Sequence, residues 1–374
     1  MRGASHMLLV AAMLVTLCQA AAAGTVQPPP HAPASIEWVG GVGNSLSQPA
    51  SFYSSQEAVR IAETVLLTQR DNGGWPKNYD RARVLSEEDR RKLLSQKKLS
   101  DTTFDNGSTH SEVRYLAKVC NATGEERYKQ ACLQGVVFML KAQYGNGGWP
   151  QSYPNARGYS RHITFNDGAM TGVMTALRDI EQDEAAYPFV STKARAHCAQ
   201  AVAKGVRCIL ACQIDVEGTK TAWCAQHDEK TLAPRKARSY ELASISGSES
   251  VGVVQFLMQI EDPSAEVIGA VEAAVAWFER SKLQGIKLVH AEDASKPNGF
   301  DNMVVEDPKA PPMWARFYDI KTNQPIFCSR DGVPRRTLAE ISHERRTGYS
   351  WLGHYARDLL GRDLPAWRRR LGRN

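Results

Sequence analysis

The apolar residues of this chain recur mainly at helical spacing. Across 56–69, Ala58, Ile61, Ala62, Val65 and Leu66 stand three and four positions apart, which places them on one face of a helix. The same spacing predicts helices over 111–120, 128–142, 170–180, 193–212, 250–259 and 265–281, with a last pair over 349–359 and 365–371. Period-two alternation is scarce, and 286–290 is one of few short strand signals. The expectation is an all-α domain with long irregular loops.

Between the helices the chain repeats itself. Asn72-Gly73-Gly74-Trp75-Pro76 returns as Asn146-Gly147-Gly148-Trp149-Pro150, and each copy is soon followed by a tyrosine, Tyr79 or Tyr153. Further on, Thr103-Phe104-Asp105-Asn106-Gly107 is matched by Thr164-Phe165-Asn166-Asp167-Gly168, and each precedes an apolar stretch. A diverged third member, Ser244-Ile245-Ser246-Gly247-Ser248, opens the run 251–260. One unit is thus turn, loop, polar cap and helix, and three units suffice to close a ring of helices. In such an (α/α) toroid the inner helix ends and their loops surround one groove, which Asn106, Asp167 and Ser246 would face. Asp, Asn and Ser are also ordinary helix caps, so each of these positions has a purely structural reading as well.

Composition adds the frame. At 374 residues, 43% hydrophobic and 23% charged, the chain is an ordinary globular protein beyond its N-terminus. There, Arg2, the apolar run 7–17 and the alanines at 20–23 read as a signal peptide over 1–23, so the protein is expected to be secreted. Residues 24–48, with Pro28, Pro29 and Pro30, read as a flexible leader, and 49–374 as the folded domain. Cleavage after residue 23 removes Cys18 and Arg2, which leaves seven of eight cysteines and lowers the net charge from +6 to +5. Seven is odd, and no connectivity follows from it. The mild basic excess suits an anionic partner.

Candidate chemistry is carried by carboxylates and arginines. Asp228 and Glu229 open a loop, and with Asp167 they offer oxygens from separate segments, as a hard cation requires. Arg235 and Arg238 follow that loop, while Arg316 and Arg330 lie among aromatic and glycine residues where helical periodicity is low. Planar guanidinium groups suit carboxylates, so an acidic sugar chain would match them. Lys77 breaks the repeat, since Gln151 stands at its counterpart. No H-E-x-x-H zinc motif is present, because Glu344 after His343 has no second histidine at that spacing.

These residues give the chain a resemblance to the pectate lyases of polysaccharide lyase family 10, covering roughly 45–361. It rests on Gln69–Asn78 (Q-R-D-N-G-G-W-P-K-N), T-F-D-N-G at 103–107, I-T-F-N-D-G at 163–168, W-C-A-Q-H-D at 223–228, R-S-Y-E with S-I-S-G-S-E-S across 238–250, and W-A-R-F-Y-D with R-D-G across 314–332. The resemblance implies an (α/α)3 toroid, secretion, Ca2+, and β-elimination of polygalacturonate. It further implies Asp167 and Asp228 as metal ligands, Lys77, Asn106, Arg316 and Arg330 as substrate-binding residues, and Arg238 as the acceptor of the C5 proton, with Arg235 as the alternative. A guanidine with an ordinary pKa of about 12.5 is scarcely neutral at pH 7, so an alkaline optimum is expected. The expected partner is a pectate chain rather than nucleic acid or membrane, and the expected state is a monomer. Two other readings stay open: a hydrolase using Asp105, Asp167 or Asp228, and a binding protein for acidic polysaccharide without turnover.

Overall fold

Each N-G-G-W-P string closes a tight turn, and the computed structural model, which describes residues 45–373, builds the two copies alike. In the first, Gly73 N–H donates to the Arg70 carbonyl at 2.9 Å, and the Asn72 side-chain oxygen accepts from Gly74 N–H at 3.0 Å. In the second, Gly147 donates to Tyr144 at 2.9 Å, and Asn146 accepts from Gly148 at 3.1 Å. The first glycine of each pair has a positive φ, 93° at Gly73 and 96° at Gly147. A Cβ at Gly73 would lie 2.5 Å from the Gln134 carbonyl oxygen, and one at Gly147 would lie 2.2 Å from that of Lys204. Glycine is therefore demanded twice over, by the dihedral and by the helix backbone that the turn touches.

A glutamine before each turn ties it down. Gln69 Nε2 donates to the carbonyls of Gly73 and Ala131, and Gln143 Nε2 to those of Gly147 and Ala201. Gln213 does the same toward Thr221 and Ala270, which marks a third unit that lacks the N-G-G-W-P string. Its tryptophan is Trp223, whose indole N–H reaches the Ile209 carbonyl at 2.7 Å as Trp75 reaches Val65 at 2.8 Å. The chain then returns to each tryptophan carbonyl through the amide of Thr103, Thr164 or Ser246. The segment at 244–248 is thus the third member of the series.

The chain divides into two compact units. The first takes the residues up to Ala142 with Tyr153–Asn155 and Ala176–Ala199. Its helices Gln56–Thr68, Glu87–Ser95, His110–Thr123 and Glu126–Lys141 pack a core of Ile61, Val65, Trp75, Phe104, Val113, Leu116 and Phe138. Ser55 caps the first of these by accepting from Ala58 N–H at 3.2 Å, and Gly124, at φ 71°, ends the third. The helix Glu87–Ser95 buries no residue, which is why apolar spacing does not reveal it.

The second unit takes Gln143–Ser152, Ala156–Thr175 and everything from Gln200 onward. It holds the helices Glu249–Met258 and Ala265–Arg280 and a core rich in Trp149, Trp223, Trp277, Trp314 and Trp351. The helices Ala169–Gln182 and Thr192–Cys212 have residues in both units.

The all-α expectation is corrected here. The structure is mixed, 46% helical and 13% strand, with six small antiparallel sheets among the described residues, and it does not support the toroid assignment. All but one of these sheets are ladders of two-residue strands, too short to show a period in sequence. The exception pairs Ile286–Glu292 with Phe300–Glu306 and contains the stretch 286–290. The helix expected over 349–359 does not form, because Leu352–Gly353 instead pairs with Trp314–Ala315. The signal peptide at 1–23 and most of the leader lie outside the described residues. All seven described cysteines are buried and free. No described helix is long and apolar enough to cross a membrane.

Candidate functional site

A three-stranded ladder in the second unit sets the carboxylates. Ile163–Thr164 pairs with Gln226–His227, which pairs with Pro234–Arg235. Beyond it the amides of Phe165 and Asn166 both donate to the Ala225 carbonyl, at 2.9 and 3.1 Å. Asp167 follows at φ 50°, a left-handed conformation that Asp and Asn adopt more readily than most residues. Its counterpart Asn106 has φ 52° in the equivalent short turn. The Asp167 side chain is exposed and Asn166 beneath it is buried, donating from Nδ2 to Asp167 Oδ2 at 2.6 Å.

Asp228 stands elsewhere on the ladder. Its Oδ1 accepts from the amides of Lys230 and Thr231 at 3.0 and 2.9 Å, and its Oδ2 lies 3.3 Å from Arg235 Nε. The two backbone donors hold its pKa down to about 2. The carboxylate and ring atoms of His162, Asp228 and Glu229 lie within 4.8 Å of one another, and Asp167 is not in that group. His162 Nδ1 lies 2.9 Å from Glu229 Oε2, and Arg161 Nε donates to Glu229 Oε1 at 2.9 Å. Of the two predicted ligands, Asp228 belongs to this group. His162 and Glu229 are the neighbours of Asp228, and of these only Glu229 stood out in the sequence.

The arginines converge on two tyrosines. The rings of Tyr240 and Tyr349 meet edge to face at 5.3 Å. Arg238 Cζ lies 5.0 Å from the Tyr240 centroid, Arg330 Cζ 5.7 Å from the same ring, and Arg316 Cζ 4.7 Å from that of Tyr349. All three are within cation–π range. Arg345, not anticipated from the sequence, lies 4.5 Å from Tyr240. Arg316 arrives here because Phe317–Tyr318 pairs with Ile245–Ser246, while its own N–H donates to the Trp351 carbonyl at 2.7 Å.

Each arginine is paired with a glutamate. Arg238 grips buried Glu241 with both arms of the guanidinium, Nε donating to Oε2 at 2.7 Å, and Tyr349 Oη donates to Glu241 Oε1 at 2.7 Å. The hydrogen bond that Arg238 donates to Glu241 raises the Arg238 pKa, outweighing the opposite effect of burial. Arg316, with 13% of its side chain exposed, is paired with buried Glu249 and also donates to Asn166 Oδ1 at 3.2 Å. Its Nε is buried and has no acceptor. Burial works to lower the Arg316 pKa, and Glu249 overrides it upward. Arg330 is 64% exposed and shares Glu344 with Arg345, and these two hold the Glu344 pKa down to about 2.

Lys77 and Asn106 belong to the first unit. Lys77 pairs with the carboxylate of Asp105, which is buried and whose Oδ1 has no hydrogen-bond partner. Asn106 Nδ2 donates to Asn78 Oδ1 at 2.8 Å. A cavity of about 620 Å³ elsewhere in the second unit, lined by Leu283, Ile286, Val304, Phe327 and Leu338 among others, contains none of the predicted residues.

Comparison with known proteins bears on this arrangement. The family profile for pectic acid lyase matches residues 69–360. A solved family 10 polysaccharide lyase from Cellvibrio cellulosa is 35% identical, with a TM-score of 0.71 over 88% of this chain and 95% of that one. An aspartate-to-alanine mutant of such a lyase from the same organism, solved in complex with trigalacturonic acid, is likewise 35% identical with a TM-score of 0.71, over 88% of this chain and 96% of that one. Among curated proteins none matches.

Proposed function

Because the chain belongs to the pectic acid lyase family and is a pectate lyase, we propose that it is secreted and cleaves α-1,4-linked polygalacturonate by Ca2+-assisted β-elimination. The observation that carries this reading is the gathering of Arg238, Arg316 and Arg330 around Tyr240 and Tyr349, with Asn166 bonded to both Arg316 and Asp167. A galacturonate carboxylate meets three guanidinium groups there, and a carboxylate that can hold a cation stands beside them.

The reaction removes the C5 proton, which lies α to the sugar carboxylate. The C5–H electron pair becomes the C4–C5 double bond, the C4–O4 bond breaks, and the departing oxygen takes a proton. Exposed Arg330 exchanges Glu344 for a substrate carboxylate, and Arg316 contributes its positive charge to binding the acidic chain. Lys77 and Asn106, in the first unit, are substrate-binding residues in this reading. Arg238 takes the C5 proton in its neutral form, against the hold of Glu241. The carboxylates of Asp167 and Asp228 would offer oxygens from separate segments to a hard cation. A Ca2+ ion held there would supply the Lewis acidity that neutralises the sugar carboxylate.

Incubation with polygalacturonate at alkaline pH tests this reading through the ultraviolet absorbance of the conjugated unsaturated product. Absorbance should rise, chelator should stop it, and Arg238→Ala should lower the rate by about 10²–10⁴-fold, the range for loss of a general base. New reducing ends without absorbance would instead identify a hydrolase.

A further inference from the structure

We infer that Asn166 and Arg316 form a positioning relay that fixes the Asp167 carboxylate and thereby sets its affinity for a divalent cation. The inference rests on the proposal that Asp167 holds Ca2+.

The relay is continuous and its direction is determined. Glu249, with 3% of its side chain exposed, pairs with Arg316, and Arg316 Nη2 also donates to Asn166 Oδ1 at 3.2 Å. Arginine has donors only, so the Asn166 amide must turn its oxygen to Arg316 and its NH2 away. That NH2 donates to Asp167 Oδ2 at 2.6 Å. A buried anion thus orients a buried cation, which orients a buried amide, which orients an exposed carboxylate. Tyr349, 4.7 Å beneath the Arg316 guanidinium, limits its tilt.

The repeat shows why the relay ends in an outward carboxylate here. In the first unit the acid occupies the buried position, Asp105, where Lys77 pairs with it, and the exposed position carries uncharged Asn106. In the second repeat the two residue types are exchanged. The arginine takes the place of the lysine, the buried position becomes the amide, and the exposed position becomes the acid. An amide at 166 can accept from a cation on one side and donate to an anion on the other, which a carboxylate there could not do. A carboxylate held in one rotamer loses less freedom on binding, and such supporting partners typically contribute 10–100-fold in metal affinity.

Calcium titrated calorimetrically into the whole enzyme without pectate reads this directly. Asn166→Ala should weaken Ca2+ binding by about tenfold, and Arg316→Lys, which keeps the charge but not the fork, by a smaller factor in the same direction. Asp167→Ala should abolish the binding. Should Asn166→Ala fail to fold by circular dichroism, Arg316→Lys and Asn166→Ser carry the test. Wild-type affinity in the folded relay variants, with binding lost in Asp167→Ala, would overturn the relay alone. Undiminished binding in Asp167→Ala would overturn the metal assignment and the relay with it.

Discussion

Glu241 presents Arg238 with two carboxylate oxygens, and every such bond favours the charged guanidinium over the neutral base that proton abstraction needs. Replacing Glu241 by Gln removes the negative charge and keeps the shape, so the Arg238 pKa should fall. At any pH below that pKa, a fall of one unit makes the neutral form about tenfold more abundant. The rising alkaline limb of kcat against pH should then move to lower pH in Glu241→Gln; an unmoved limb with a changed KM would mean that Arg238 binds a carboxylate and takes no proton. Sequence made Arg238, Arg316 and Arg330 legible through their motifs and their low helical periodicity. It did not single out Glu241 or Tyr349 as their partners, because pairing across more than one hundred positions, as between Tyr349 and Glu241, leaves no local signature. It also named Asp228 without His162, whose ring nitrogen lies against Glu229 beside it, because that pairing spans 67 positions.

At the scale of elements, the turns were the most readable part of the chain. Gly147→Ala would meet both a left-handed φ and the Lys204 carbonyl, and should destabilise the fold by roughly 2–4 kcal/mol in denaturant titration. Gly145, two residues earlier, has open space around its Cβ position and no positive φ, so Gly145→Ala should stay close to neutral. Equal losses at the two sites would sink this account of the turn. The helices were legible because each buries one face, as the spacing of Ile61, Val65 and their neighbours shows. The paired segments were not. Phe317–Tyr318 and Ile245–Ser246 are held by loop geometry and by tryptophan carbonyls, and neither leaves a mark on the hydrophobic pattern.

For the molecule as a whole, acid should be more damaging than the carboxylates alone predict. His227 is fully buried, bonded through Nδ1 to the Leu232 carbonyl at 2.8 Å, and its Nε2 accepts from Cys224 N–H at 3.0 Å. Only the neutral ring can accept that N–H, and burial holds its pKa down to about 4 against an ordinary 6.5. Desolvation likewise holds His110 down to about 3. Below pH 6.5 the unfolded chain takes up protons that the native state refuses, so stability falls with pH until it reaches the native pKa values. For His227 alone this amounts to about 3 kcal/mol between pH 6.5 and 4, and His227→Gln should flatten that part of a plot of Tm against pH. The repeat and the family resemblance were visible in the sequence, whereas the mixed helix and strand content was not.

The seven free, buried thiols give this fold a built-in chemical gauge. Desolvation raises the pKa of Cys120, Cys132, Cys198, Cys224 and Cys328, so in the native state these sulfurs are both shielded and largely protonated. A thiol reagent added to intact enzyme should modify them only as fast as the structure opens. Mass spectra of the partly labelled protein would then show which thiols are reached together. Loss of all seven in one step would mean that the two compact units open as one body, and early modification of Cys120, Cys132 and Cys198 would mean that the first unit opens before the rest.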